Sequence, residues 1–225
     1  MAKADAGLID LHTHTLFSDG GLLLSELVRR AEVVGCRVIN ISDHADLSNM
    51  DFLIPRVVKA CAELGKPGRL TVIAGVEITH CPLKQIPRLV KEARALGAQL
   101  VTVHGETLSE PVLTGTNRAA IEAGADILAH PGLIDEADAS LAAERGVALE
   151  ISGRKGHSLA NGHVVKVARA TGARLVFGSD AHDEGDLVDR EAAERILLGA
   201  GLEARELSAV WQNAEELARK GSAAS

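Results

Sequence analysis

Short apolar runs alternate with amphipathic stretches along nearly the whole chain. Gly7–His14 reads as a strand, Leu22–Val34 as a helix, Val38–Asp43 as a second strand and 51–64 as a second helix. Leu70–Ile78, Gln99–His104, Asp126–His130, Val147–Ser152 and Leu175–Asp180 continue the strands, and Pro87–Leu96, Asn117–Ala123, Glu136–Arg145 and Gly162–Ala170 the helices, each closing near a glycine. Strands alternating with helical patterns of roughly 10 to 15 residues require parallel pairing through right-handed crossovers. The pattern predicts an α/β fold whose parallel strands close into a barrel. Two further helices are expected near 186–199 and 203–219; in the last, Leu207, Val210, Trp211, Ala214 and Leu217 form one apolar packing stripe. Gly221–Ser225 reads as a frayed small-residue tail, and 1–225 as a single domain.

Polar residues interrupt this pattern at one recurrent place. His12, His14, Asp19, His44, Glu77, His104, His130, Asp180 and His182 stand at or just beyond the ends of successive apolar runs, and all are metal-binding types. A closed parallel barrel gathers the C-terminal ends of its strands at one rim, so remote ligands can converge there. Strand parity agrees: Asp10, His12 and His14 share the barrel interior, whereas Leu11 and Thr13 face the helices. Unpaired buried polar groups cost about 1 to 3 kcal/mol each, so three on one face argue for a bound ion.

Composition narrows the partners. A formal net charge of -7 without a long Lys or Arg run disfavours nucleic acid, and aromatics at 2% offer few stacking platforms for single strands. Cys36, Cys61 and Cys81 are odd in number and lack CxxC spacing; with no cleavable signal segment they read as reduced thiols of a cytoplasmic protein. Cys81 is a weaker soft-ligand candidate. No apolar stretch is long enough to span a membrane, and a homo-oligomer is left open.

Asp10-Leu-His-Thr-His, Phe17-Ser-Asp-Gly, Ser42-Asp-His, Gly75-Val-Glu-Ile, Val103-His-Gly, Ala129-His-Pro-Gly and Gly178-Ser-Asp-Ala-His, in this order, resemble the successive motifs of the PHP (polymerase and histidinol phosphatase) superfamily, histidinol-phosphate phosphatase-like single-domain members in particular. The resemblance implies a distorted seven-stranded (β/α)7 TIM-like barrel with an extra C-terminal helix and three divalent metal ions, zinc first, with manganese or iron as alternatives. It implies that His12, His14, Glu77 and Asp180 hold one ion, that Glu77 bridges it to a second held by His104 and His130, and that Asp19, His44 and His182 hold the third. Some relatives carry His where Asp19 stands.

Three divalent ions against Asp19, Glu77 and Asp180 leave a local charge of about +3, which draws an anion into an otherwise acidic chain. The expected chemistry is phosphomonoester hydrolysis by a metal-bridging hydroxide, with Glu77 and Asp180 at the catalytic centre and Asp10 and Asp43 behind the ligands, orienting imidazoles. In Gly153-Arg-Lys-Gly-His157, Arg154 offers a planar fork and Lys155 a point charge for phosphate, and His157 a general acid. Arg118 is a further phosphate candidate beside Asn117, which an N-cap also explains. His80 and His163 read as ordinary loop and helix residues. The leading reading is a small-molecule phosphatase of the histidinol-phosphate type. The alternatives are a phosphodiesterase or nuclease acting on nucleotides or nucleic-acid ends, and a non-enzymatic metal-binding module.

Overall fold

Strands of a closed parallel barrel, covered by helices outside and by a core inside, bury both faces. In the computed structural model, which describes residues 7–64 and 70–223, β1 (Leu8–Thr13) and β5 (Leu100–His104) are buried along their whole length. The other strands are β2 (Cys36–Ile41), β3 (His44–Ala45), β4 (Thr71–Ile78), β6 (Ile127–Ala129), β7 (Ala148–Ser152) and β8 (Leu175–Gly178). Pairing runs β1-β2-β4-β5-β6-β7-β8, parallel throughout, so the expected seven-stranded barrel is present, with the two-residue β3 as an addition. The seam between β8 and β1 is closed beyond the strand ends, where Asp180 N donates to His12 O at 2.9 Å and His14 N to Ala181 O at 2.9 Å.

Helices α1 (Leu24–Val33), α2 (Met50–Leu64), α3 (Ile86–Ala95), α4 (Thr116–Glu122), α5 (Glu136–Arg145), α6 (Asn161–Thr171) and α7 (Arg190–Gly199) follow the strands and pack around the barrel. Gly146 and Gly172 cap α5 and α6 with φ of 70° and 75°, the left-handed termination their positions suggest.

The last helix, α8 (Leu207–Ala223), touches β1, β4, β5 and β8, which no helix on one outer flank could do. Its polar contacts fall at the N-terminal ends of strands: Asn213 Nδ2 donates to Leu175 O at 2.9 Å, and Lys220, Glu215 and Glu216 pair with Asp126, Arg37 and Arg174. α8 therefore plugs the end of the barrel opposite the rim. The expected fraying from Gly221 is corrected: a methyl on Gly221 would stand 3.0 Å from Ile73 Cγ2, and the helix runs to Ala223. Residues 224–225 of that tail lie outside the described residues.

The distortion has a local cause. β2 stops at Ile41 because Ser42 and Asp43 turn toward the β1 loop: Ser42 Oγ accepts from Thr13 N at 3.0 Å, and Asp43 accepts from Thr15 N at 2.7 Å and from the Thr15 and Ser18 hydroxyls. Pairing with β4 resumes three residues on, in the same register, as β3, which sets His44 directly beside Glu77.

Candidate metal centre

All nine predicted ligands meet at the C-terminal rim. His12 Nε2 lies 3.4 Å from Glu77 Oε2, His14 Nε2 lies 3.3 Å from Asp180 Oδ1, and His130 Nε2 stands 3.6 Å from Glu77 and 3.7 Å from Asp180. On the other side, Asp19 Oδ1 is 3.1 Å from His182 Nε2 and 3.5 Å from His44 Nε2. Among the described residues, five groups have ligand atoms within 4.8 Å of one another: His12-His14-Asp180, His12-Glu77-His130, His104-His130-His157, His14-Asp19-His44-His182 and, at the exposed edge, His80-His104-Glu110. The first group lies within the set expected for one ion, the second joins His12 to His130 through Glu77, the residue expected to bridge, and the fourth contains the set expected for the third ion together with His14.

Backbone strain marks the same place. Among the described residues, His80, His130 and Asp180 are the non-glycine residues with positive φ, at 51°, 27° and 55°. Such conformations cost on the order of 1 to 3 kcal/mol and persist where surrounding structure imposes them. For His130 that structure includes Gly132, where a methyl would strike Glu106 O at 1.8 Å, and Asn117, whose side chain accepts from Glu106 N and donates to Pro131 O at 2.8 Å. Asn117 thus clamps the loops that follow His104 and His130.

Several imidazoles share one arrangement. His12 Nδ1 meets Glu150 Oε2 at 2.5 Å, His104 Nδ1 the Gly105 carbonyl at 3.0 Å, His157 Nδ1 the Thr107 hydroxyl at 2.7 Å and His182 Nδ1 the Asp180 carbonyl at 2.9 Å. With Nδ1 engaged by these oxygens, each Nε2 is turned toward the cluster, where it can coordinate an ion once unprotonated. Buried His12 Nε2, both His14 nitrogens and Glu77 Oε1 make no hydrogen bond within the protein. A donor set of imidazoles and carboxylates with unpaired inward atoms fits divalent ions, because coordination supplies the partners that burial removed.

Electrostatics divides the cluster into proton holders and neutral rings. Burial opposes a charge on His12, but Glu150, Glu77 and Asp180 hold its pKa well above the ordinary value. Burial likewise opposes a charge on His44, yet Glu77 and Asp19 push it up to about 10. Burial and the neighbouring His12 and His44 drive His14 well below, and burial with His104 does the same to His130. Burial would raise Glu77, but His12 and His44 draw it well below the carboxylate range, whereas burial carries Asp180 up to about 7.

Some expected roles change. Asp10 and Asp43 meet no imidazole: Asp10 accepts from Ser179 N at 2.9 Å and His12 N at 3.3 Å, and Asp43 binds the Thr15–Ser18 turn, so both fasten backbone that carries ligands. Arg118 spends its guanidinium on Asp138 of α5 at 2.5 Å. Lys155 is exposed. Arg154 does reach the site, with Nη1 3.2 Å from Asp180 O and in contact with the His182 ring. His157 is buried inside the cluster with its Nδ1 hydrogen-bonded to the Thr107 hydroxyl at 2.7 Å, and burial, followed by His104 and Arg154, lowers its pKa to about 4. A lowered pKa disfavours the imidazolium that the expected general-acid role would use. His163 bonds the Ile134 carbonyl at 2.7 Å.

Sequence reasoning missed Glu150 and Glu110. Glu150 is the charged residue inside the apolar run Val147–Ile151, a signal that was available; it meets His12 over Gly178 of the intervening strand β8. Glu110, on the loop after β5, lies 3.2 Å from His104 Nε2, 3.3 Å from His157 Nε2 and 3.0 Å from His80 Nε2. Counting both reduces the local surplus to about +1, so attraction for an anion rests more on directed coordination and Arg154 than on bulk charge.

A parallel (β/α) barrel with clustered His, Asp and Glu at its C-terminal rim defines a barrel metalloprotein. The PHP domain signature matches residues 10–179, more than half of the chain, and the chain belongs to the PHP domain family. An uncharacterized protein of Methanocaldococcus jannaschii is 48% identical over 200 residues, 88% of this chain and 92% of its own length. A protein of Shewanella sp. strain ANA-3 named "probable phosphatase" is 31% identical over 201 residues, 77% of this chain and 76% of its own. Among solved structures, a chain of an archaeal ribonuclease P with mature tRNA superposes with a TM-score of 0.69 at 22% identity, covering 93% of this chain and 90% of that one. The Lactococcus lactis histidinol phosphate phosphatase complexed with zinc, L-histidinol and phosphate superposes at 0.59 with 17% identity, covering 86% of this chain and 94% of that one. At these identities the structural likenesses speak for the fold.

Proposed function

We propose that this PHP-family protein is a metal-dependent phosphatase whose substrate is a small phosphomonoester. The observation that carries this reading is the convergence of nine predicted ligands on one rim, with buried ligand atoms left unpaired inside it. Relatives named as phosphatases and the fold shared with a zinc- and phosphate-bound histidinol phosphate phosphatase support the same class.

His12, His14, Glu77 and Asp180 would hold one ion, Glu77, His104 and His130 a second, and Asp19, His44 and His182 a third. Bound divalent ions supply an ionised water and a clamp on phosphoryl oxygens, and they offset charge on the leaving alkoxide. The protein's own groups do the rest. Arg154 projects donors from the β7 loop toward the Asp180 carbonyl, where a phosphate oxygen would meet them. Glu150 and the other oxygens behind the rings fix the imidazole tautomers. Asp10 and Asp43 tie the ligand-bearing backbone across the β8–β1 seam and the β1 loop, holding the donor geometry against relaxation.

The test is an assay of the zinc- or manganese-loaded protein on phosphomonoesters, histidinol phosphate included, beside phosphodiesters and short oligonucleotides. Monoester turnover that His104→Ala abolishes supports the proposal. Turnover of diesters or oligonucleotides alone would overturn it in favour of a nuclease, and bound metal without hydrolysis of any of them in favour of a binding module.

A further inference from the structure

His157 belongs to neither the expected ligand set nor the phosphate grip, yet it lies within the cluster. We propose that His157 is a direct ligand of the ion held by Glu77, His104 and His130, giving that ion three imidazoles and one carboxylate. The assignment rests on the metal centre proposed above.

Geometry carries it. The ligand atoms of His104, His130 and His157 lie within 4.8 Å of one another, and all three residues are buried. The His157 ring stacks on His130 at 4.1 Å between centroids and meets the edge of His104 at 5.9 Å. Its Nδ1 is tied to Thr107 just as His12, His104 and His182 are tied to oxygens, so its Nε2 faces inward, 3.9 Å from Asp180 Oδ2. The turn that bears it is held on both sides. Asn161 accepts from Ser152 N at 3.2 Å and donates to Ser152 O at 2.8 Å, and Gly156 takes φ 95° where a methyl would press Ser109 at 3.3 Å. A mobile basic loop would need none of these restraints.

The chemistry has a consequence. Three imidazoles with one carboxylate make a borderline-soft shell that suits zinc or cobalt, whereas manganese and magnesium prefer oxygen-rich shells. With His157 the second position gains the imidazole-rich shell that favours zinc. Glu110 is the competing ligand, since its carboxylate lies 3.2 Å from His104 and 3.3 Å from His157. It stands on the exposed side of the cluster, and in this assignment it borders the shell without entering it.

Zinc per chain and zinc affinity, read by elemental analysis and chelator competition, test the assignment on His157→Gln, Thr107→Val and Glu110→Gln, with circular dichroism melts to confirm folding. Removing a group behind a ligand weakens metal binding about 10- to 100-fold. Thr107→Val should fall in that range for one ion, and His157→Gln should lose that ion or bind it at least about 100-fold more weakly. Glu110→Gln should keep the wild-type count. Because His157→Gln could fail to fold, histidine nitrogen NMR of the wild-type chain provides an independent readout: His157 Nε2 should shift on zinc loading together with His104 and His130. An unshifted His157 overturns the assignment, as does a wild-type zinc count and affinity in His157→Gln, or loss of the ion from Glu110→Gln alone. The two proposals fail separately: wild-type zinc binding without ester hydrolysis sinks the phosphatase reading alone, whereas full zinc retention with lost turnover in His157→Gln sinks the ligand assignment alone.

Discussion

Replacing Glu150 by Gln removes one negative charge from the middle of β7 and almost nothing else. The carboxylate is buried, and its Oε2 meets His12 Nδ1 at 2.5 Å. Its space is tightly bounded: a methyl on Gly178 would lie 2.7 Å from that oxygen and 2.6 Å from His12 Cβ. Glutamine fits the same volume and still offers a carbonyl oxygen to Nδ1–H, so the hydrogen bond survives in neutral form. A charged bond is worth about 1.5 to 3 kcal/mol and a neutral one about 0.5 to 1.5 kcal/mol, so the substitution should cost about 1 to 2 kcal/mol. The measured loss for groups behind metal ligands, about 10- to 100-fold in affinity, corresponds to about 1.4 to 2.7 kcal/mol and agrees. Zinc affinity by competition against a chromophoric chelator should therefore fall by about tenfold or more for the ion that His12 binds, with an unchanged count at saturation. Glu150→Ala should be worse, since it also leaves a cavity and an unpaired ring nitrogen. A zinc affinity for Glu150→Gln indistinguishable from wild type would refute the orienting role.

Chelation should destabilise the fold: saturation at about a thousandfold above Kd contributes about 4 kcal/mol, and at about 2 to 4 °C per kcal/mol a calorimetric melt should fall by roughly 8 to 16 °C in chelator. Zinc loading near pH 7 should release protons, because His12 and His44 have pKa values raised above the ordinary value and stay protonated there until an ion displaces the proton; affinity then rises with pH, and titrations in buffers of different ionisation enthalpy that give zero released protons would contradict this. Trp211→Ala should cost about 3 to 5 kcal/mol in urea unfolding while leaving zinc per folded chain unchanged, since Trp211 packs on Phe177 and beneath Arg190 on the plug opposite the rim. Cys36, Cys61 and Cys81 are buried, and burial pushes Cys61 up to about 12 and Cys81 to about 11, so a thiol reagent at pH 8 should label the folded protein slowly and the guanidinium-unfolded protein fully.

The barrel was legible because its signal is local and repeated. Each strand is a short apolar run, each helix keeps its own spacing, and the ligands stand where those runs end, a position that parallel pairing converts into one rim. His12 and Asp180 could thus be assigned to one cluster without knowing which strands are neighbours. What eluded sequence reasoning depends on facing rather than on position. Glu150 becomes the partner of His12 because β7 and β1 flank β8, where Gly178 leaves room for the two side chains to meet, 138 residues apart along the chain. Arg118 is drawn to Asp138 because α4 lies beside α5, and Asp43 turns to the β1 loop because Thr15 and Ser18 offer its carboxylate hydrogen-bond donors. His157 moves from loop to cluster because Thr107, on a different loop, holds its ring. Periodicity and residue chemistry determine which elements form and which end of them carries polar groups; only the folded chain decides which buried donor meets which acceptor, since burial forces every polar atom to find a partner among whatever residues closure brings within reach.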